Sequence, residues 1–419
     1  MKRLVSAAAA FVAITASLAV GAGTAGAGGP VRGTFNPIDT VRILDTRVGL
    51  GVWEQRVGPL GAGQIIELDV TGVAGVPESN VGAVVLNVTV TNAVAAGFVT
   101  VYPCVKDRPL ASNLNFPTGV NVANQVTAKV GPDGFVCLFS SSQADLVADL
   151  SGWYAGEAAP LAGFSYEQLT PARIVDTRYG TGTGDRPVGQ LTAGEVLEVH
   201  LPGAGGIPAQ ALVRAVSMNV TATGAADAGV ITVFACDRDR PWASNVNFGA
   251  GDATVANLAT SKVSASGNVC FYASTATDLV VDVQGYFSPY STSNTIFTPL
   301  SPVRVLDTRN GTGIADQKPA RAGAGSIIAV QVAGMNAVPA DAKAVLLNVT
   351  ITEAEGRGFV TAWPCGHPRP LASFLNYRRG VDRANLTPVR IGEGGKICLF
   401  VHEGTEVVAD LNGYYRRQV

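Results

Sequence analysis

The tripeptide Asp-Thr-Arg occurs three times, at Asp45-Thr46-Arg47, Asp176-Thr177-Arg178 and Asp307-Thr308-Arg309, with 131 residues between successive copies. A fixed period of this length makes the chain a tandem array, so its fold must be one that a unit of ~120–130 residues can close around its own core. Reading the copies against each other places the repeats at 37–155, 169–288 and 299–419. Residues 28–36, 156–168 and 289–298 read as linkers, being short and rich in small or polar residues such as Ser291-Thr292-Ser293-Asn294. Three beads on a string is the simplest arrangement that follows.

Within a repeat the signals are β. Ala83–Thr91 (AVVLNVTVT), Gly97–Tyr102 (GFVTVY), Gly134–Phe139 (GFVCLF) and Asp145–Leu150 (DLVADL) are short runs rich in Val, Leu, Thr and aromatics, bounded by Gly, Pro and Asn. No 12-residue stretch keeps a helical period, and turn residues return every ~8–12 positions. The expected fold is all-β: three tandem antiparallel two-sheet β-sandwiches, jelly-roll-like, each with about eight to ten strands.

Lys2 and Arg3, the apolar stretch Leu4–Val20 and the small-residue site Ala25-Gly26-Ala27 read as a signal peptide over 1–27. Export follows, to an extracellular and cell-wall-associated location, with no membrane span after cleavage. The six cysteines fall two to a repeat, Cys104/Cys137, Cys236/Cys270 and Cys365/Cys398, at separations of 33, 34 and 33 residues. The repeat selects one bridge per copy from the 15 pairings that six cysteines allow. Closing a loop of this length stabilises a domain by about 3–4 kcal/mol on the chain-entropy argument. Zinc is disfavoured, because the chain has no CxxC and none of His200, His367 and His402 recurs between copies; no metal or other cofactor is expected.

The formal charge of −2 becomes −4 once Lys2 and Arg3 are lost with the signal. Repeats one and two are net acidic, whereas repeat three carries 14 basic and 10 acidic residues, with Arg378, Arg379 and Arg383 crowded into one segment that could meet an anionic polymer. Nothing else points to nucleic acid.

Positions present in all copies show what this design uses each time. Recurring glycines and prolines read as turn residues. In VRILDTR, Asp45 and Arg47 fall on one strand face with Ile43, and Leu44 points away. A carboxylate beside a guanidinium there reads as a structural ion pair (Asp45/Arg47, Asp176/Arg178, Asp307/Arg309), with Thr46 capping a turn into Gly49–Gly51. Asp149, Asp282 and Asp410, near the end of each repeat, read as buried polar hubs whose natural partner is an arginine of the Asp-Thr-Arg strand. Asp145 and Asp149 are four residues apart on a strand, about 13 Å, too far for a glycosidase pair at ~5–9.5 Å.

Other chemistry fails sooner. Ser112, Ser244 and Ser373 recur without a recurring histidine, so no catalytic residue is assigned. The sequons at Asn87, Asn219 and Asn348 lie mid-strand and read as inward polar side chains. In Trp153-Tyr154, Tyr286-Phe287 and Tyr414-Tyr415, alternation places one ring of each pair in the core and the other at the rim.

The ordered set VRILDTR, GVP, VVLNVTVT, GFVTVYPC, RPLASNLNF, VAN and ADLSGWY resembles a tandem module of secreted bacterial proteins, particularly large exported proteins of high-GC Gram-positive bacteria. The resemblance covers the chain after the signal. It implies repeats found alone or appended to extracellular hydrolases, with no established activity of their own. Repeat three departs from the pattern at Phe374, where the others have Asn113 and Asn245. The expected function is non-catalytic: a multivalent binding or adhesion protein for cell wall, extracellular polysaccharide or a surface partner. A carbohydrate-active hydrolase using the repeated carboxylates, or a purely structural spacer, are the alternatives.

Overall fold

A computed structural model describes residues 33–104, 107–157, 163–251, 254–314 and 316–418. The signal peptide expected over 1–27 lies outside the described residues. The first repeat contains β1 (Phe35–Asp45), β2 (Ile65–Asp69), β3 (Val81–Thr91), β4 (Gly97–Pro103), β5 (Leu114–Phe116), β6 (Val122–Lys129), β7 (Phe135–Ser140) and β8 (Asp145–Ala155). They form two four-stranded antiparallel sheets, β1-β8-β3-β6 and β2-β7-β4-β5. This interleaving of strands between two sheets is a jelly roll.

The second repeat repeats the order with β9 (Ser165–Asp176), β10 (Val196–His200), β11 (Ala215–Thr223), β12 (Gly229–Ala235), β13 (Val246–Phe248), β14 (Thr254–Lys262), β15 (Asn268–Ala273) and β16 (Asp278–Ser288). The third does so with β17 (Thr295–Asp307), β18 (Ile327–Gln331), β19 (Ala344–Thr352), β20 (Gly358–Pro364), β21 (Leu375–Tyr377), β22 (Arg383–Arg390), β23 (Lys396–Val401) and β24 (Glu406–Arg417). Each repeat holds one disulfide, Cys104–Cys137, Cys236–Cys270 and Cys365–Cys398. Each ties the residue after the fourth strand to the seventh strand, one per sandwich.

The repeats are not beads on a string. Each turns its first sheet toward the other two, and the three sheets close around a shared core of Phe35, Tyr154, Tyr166, Phe287, Phe297 and Tyr415 with Ala83, Ala215 and Ala344. Sheet edges link in a ring: Phe35 pairs with Phe164, Thr295 with Tyr166, and the Phe297 N–H donates to the Gly33 carbonyl at 2.9 Å. The structure is an intramolecular pseudo-trimer. Its six rings are buried, each worth about 2–3 kcal/mol of transfer free energy. The Tyr154 and Tyr415 hydroxyls, 2.9 Å apart, satisfy each other in that interior.

This packing explains the strand sequences. An antiparallel sheet with one wet face alternates apolar and polar residues, but β8 is buried at all eleven positions and β3 at all but its first two. Val84, Leu86, Val88 and Val90 fill their own sandwich, while Ala83 and Val85 face the shared core. Both rings of each terminal aromatic pair are therefore buried. Trp153, Tyr286 and Tyr414 enter their own sandwich, and Tyr154, Phe287 and Tyr415 the centre, so the rim expected for the second ring is itself interior.

Strands also begin earlier than the repeat pattern shows. Residues 165–168 and 295–298, read as linker, belong to β9 and β17, because Tyr166 and Phe297 pair with Phe287 and Tyr415 as Phe35 pairs with Tyr154. Gly152, Gly285 and Gly413 are not turn residues. A Cβ there would sit 2.3–2.4 Å from the ring or hydroxyl of Phe35, Tyr166 or Phe297, so the aromatic of the first strand needs a bare backbone on the eighth.

Candidate binding clefts at the repeat seams

The Asp-Thr-Arg segment sits where the first strand ends. Asp45 accepts Nε and Nη2 of Arg47 at 2.8 and 2.6 Å and Nη1 of Arg42 at 3.2 Å. Arg42 in turn donates Nε and Nη2 to Asp149 at 2.8 and 3.3 Å. The four charges form one chain joining β1 to β8. It recurs as Arg178–Asp176–Arg173–Asp282 and as Arg309–Asp307–Arg304–Asp410. The arginine that reaches Asp149 is thus the one three residues before the aspartate, not the arginine of the triplet.

Local geometry departs from a plain strand. A register shift between Arg42 and Leu44 buries both Ile43 and Leu44 and leaves Arg47 beyond the strand end. Thr46 does not cap the turn. Its hydroxyl donates to Asp145 at 2.7 Å and accepts the Leu146 N–H at 3.1 Å, a second tie from β1 to β8. Thr177 with Asp278 and Thr308 with Glu406 repeat it.

Hydrogen bonds from Arg47 hold the Asp45 carboxyl below the ordinary aspartate value. At Asp176 and Asp307 burial pushes upward, but Arg178 and Arg309 outweigh it and the net direction is again down. Asp149, Asp282 and Asp410 go the other way: burial raises them above the usual range, and Arg42, Arg173 and Arg304 offset this only in part. Both oxygens of each carboxylate already accept guanidinium hydrogens. The cluster is a brace between strands, without a spare carboxylate oxygen for proton transfer.

A second constellation joins neighbouring repeats. Nδ2 of Asn257 donates to Oδ1 of Asn87 at 3.0 Å, Asn385 to Asn219 at 3.1 Å, and Asn124 to Asn348 at 2.9 Å. The sequon asparagines Asn87, Asn219 and Asn348 donate onward to the carbonyls of Ser244, Ser373 and Ser112. Each repeat thereby grips the next in the cycle one–two–three–one. The recurring serines serve through their backbone, as the anchored ends of the RPLASN, RPWASN and RPLASF loops. Asn113 and Asn245 bond the Val101 and Val233 N–H groups inside their own repeats, and Phe374 fills the core instead, so this departure is one of interior packing.

Those loops dock against the ion-pair brace of the adjacent repeat and leave a cleft. Between repeats one and two it has a volume of about 310 Å³, with Arg42, Arg47, Thr89 and Asn121 on one side and Arg240, Trp242, Ser244 and Asn247 on the other. The third residue of each loop is almost wholly exposed: Leu110 at 87%, Trp242 at 91% and Leu371 at 101%. The first residue lies on an outer-sheet ring, Arg108 4.0 Å from the centroid of Phe139, Arg240 3.8 Å from Tyr272 and Arg369 3.7 Å from Phe400. The sequence shows the recurring loop motif RPLASN but not its exposed tip, because an apolar residue between Pro and Ala looks like core.

Arg378 and Arg383 line, with Arg357 and Thr254, a smaller cleft of about 110 Å³ between repeats two and three, and Arg379 is exposed beside it. Among the described residues, the one grouping with metal-ligand proximity is Glu198, Cys236 and Cys270, whose sulfurs are joined in the disulfide. No helix of the described residues is long and apolar enough to cross a membrane.

The fold and seams define a class: three jelly-roll sandwiches fused in one chain around a common aromatic core. No protein-family model and no curated protein matches the chain. Three solved structures are similar to it at 10–11% identity. One, from the atomic structure of Sulfolobus turreted icosahedral virus, covers 86% of this chain and 85% of its own at a TM-score of 0.19. A second, described under the triple jelly roll fold and turret assembly of an archaeal virus, covers 92% and 90% at 0.18. The third, the N-terminal CBM22-1-CBM22-2 tandem domain of Paenibacillus barcinonensis Xyn10C, covers 61% and 99% at 0.17. At these TM-scores the likenesses carry no argument, and the fold assignment rests on strand order.

Proposed function

We propose that this is an exported, non-catalytic polysaccharide-binding protein whose main site is the cleft between repeats one and two, with the related loops of the other two seams on the same body. The observation that carries the reading is Trp242, an indole held in the open over a cleft whose lining mixes apolar groups (Val147, Val230, Pro241) with hydroxyl, amide and guanidinium groups. A flat apolar face beside fixed hydrogen-bonding groups suits a pyranose ring, which has an apolar face and a polar edge. Repetition adds avidity, since sites fixed on one body turn later binding events on a polymer into intramolecular ones. The three disulfides suit an oxidising, extracellular location.

Co-sedimentation of the purified protein with cell walls and a panel of insoluble polysaccharides tests this. Retention on at least one polymer, weakened by Trp242→Ala with unchanged thermal stability, is the expected result. Absence of retention on every polymer would sink the reading.

A further inference from the structure

We infer that the polymer held at the seams is acidic, a chain of pyranoses bearing carboxylates, with the sugar face on Trp242 and the carboxylates on the flanking arginines; this rests on the polysaccharide reading above. The cleft between repeats one and two is lined by three guanidinium groups and by no carboxylate. Asp45 and Asp149 lie beneath Arg42 and Arg47, and both are buried. Arg47 spends Nε and Nη2 on Asp45, which leaves Nη1 without a hydrogen bond among the described residues, on a side chain 42% exposed. Arg240 is stacked on Tyr272 and has no carboxylate within ion-pair distance among the described residues. Its guanidinium is positioned by the ring rather than neutralised, so its planar fork stays available for a bidentate carboxylate.

The arrangement recurs. Arg178 is 39% exposed and Arg309 45%, and the loops carrying Arg369 and Arg108 are anchored to the neighbouring repeats by the Asn219–Ser373 and Asn348–Ser112 bonds. Neither Arg108 nor Arg369 has a carboxylate partner among the described residues. Each seam therefore brings a loop with a ring-stacked arginine to a repeat whose brace has a partly exposed one, and between repeats one and two the two arginines line one cleft. Only that seam adds an indole. The seam between repeats one and two is the primary subsite, and the Leu371 and Leu110 seams contribute charge and avidity.

Titration calorimetry of the full-length protein with polygalacturonate, with the same polymer after carboxyl reduction, and with polyphosphate tests the inference. Polygalacturonate should bind about tenfold or more tighter than its reduced form, the equivalent of one charge-assisted contact, and the gap should narrow as salt is raised. Arg240→Gln should remove most of that gap, and Trp242→Ala should weaken both sugar polymers; both side chains are exposed, so folding is preserved. Equal binding of the acidic and reduced polymers would overturn the acidic assignment and leave the polysaccharide reading standing. Polyphosphate binding as tightly as polygalacturonate, indifferent to Trp242→Ala, would overturn it in favour of bare charge. Failure of every sugar polymer here and in the sedimentation panel would overturn both.

Discussion

Asn257 bonds Asn87 across the seam between repeats two and one, Nδ2 to Oδ1 at 3.0 Å, while its other hydrogen reaches the Asn245 carbonyl and its own Oδ1 accepts the Gln125 N–H at 3.1 Å. One buried amide thus joins the two repeats through two bonds and ties into its own repeat through a third, and only an amide has both the donors and the acceptor to do so. Asn257→Asp would place carboxylate oxygens against two oxygen acceptors in the interior, at a cost of about 3–5 kcal/mol. Because the repeats share one core, the loss should lower a single unfolding transition rather than split off repeat two. Calorimetry and urea denaturation followed by two probes would check this. A separate early transition for one repeat would show that the seams do not couple the sandwiches.

The ion-pair brace makes a pH prediction with two signs. Asp45 has a folded-state value below that of an unfolded aspartate, so its ionised form contributes stability above about pH 4, lost as pH falls through the folded value. The deficit of Asp45→Asn, about 2–3 kcal/mol at neutral pH given the partial exposure of Arg47, should shrink on acidification. Asp149 is raised by burial, so its contribution is fully present below the unfolded value and fades as pH rises through the folded one. The Asp149→Asn deficit should therefore grow as pH drops from 7 toward 4. Urea midpoints over this range measure both trends, and parallel slopes for the two variants would contradict them.

The sandwiches were legible because strand runs, turn residues and paired cysteines are local signals, and comparing copies inside one chain sharpened them. The pseudo-trimer was less so. Its signal was present in DLVADLSGWYA, a run with no solvent face in a sheet expected to alternate, and in Asn87, Asn219 and Asn348, polar residues set amid apolar ones. Both say that the second sheet face is covered, but not by what. Most of the brace was legible: Asp45 and Arg47 pair as their spacing implies, and Asp149 meets an arginine of the same strand as expected, but that the arginine is Arg42 depends on strand pairing across 107 residues. The cleft could not be read at all, since it exists only where one repeat's loop meets another's brace.

Gly285 supplies a packing test. A Cβ there would lie 2.3 Å from the Tyr166 hydroxyl oxygen and 2.4 Å from its Cζ, in a core with no room to shift the ring. Gly285→Ala should destabilise by about 1–3 kcal/mol through overpacking. Combining it with Tyr166→Leu should recover part of that loss relative to the sum of the single variants, a coupling expected of residues in contact. Strict additivity in thermal denaturation would mean that the ring does not enforce the glycine.

Removing one disulfide should weaken the whole body. Cys104–Cys137 closes a 33-residue separation, and Cys104→Ala with Cys137→Ala should cost about 3–4 kcal/mol by loosening the unfolded chain. Cys137 lies on β7 beside Glu67 of β2 and Tyr102 of β4, in the sheet turned away from the shared core. The folded pseudo-trimer should therefore keep its aromatic centre, and the sharp aromatic bands of its near-ultraviolet circular dichroism should persist up to the transition, apart from the loss of the broad disulfide contribution. The transition itself should move down as one step, because repeat one cannot unfold without exposing Phe35 and Tyr154 and, against them, Phe287 and Phe297 of the other repeats. Loss of the aromatic dichroism before unfolding would show that the bridge supports the centre directly.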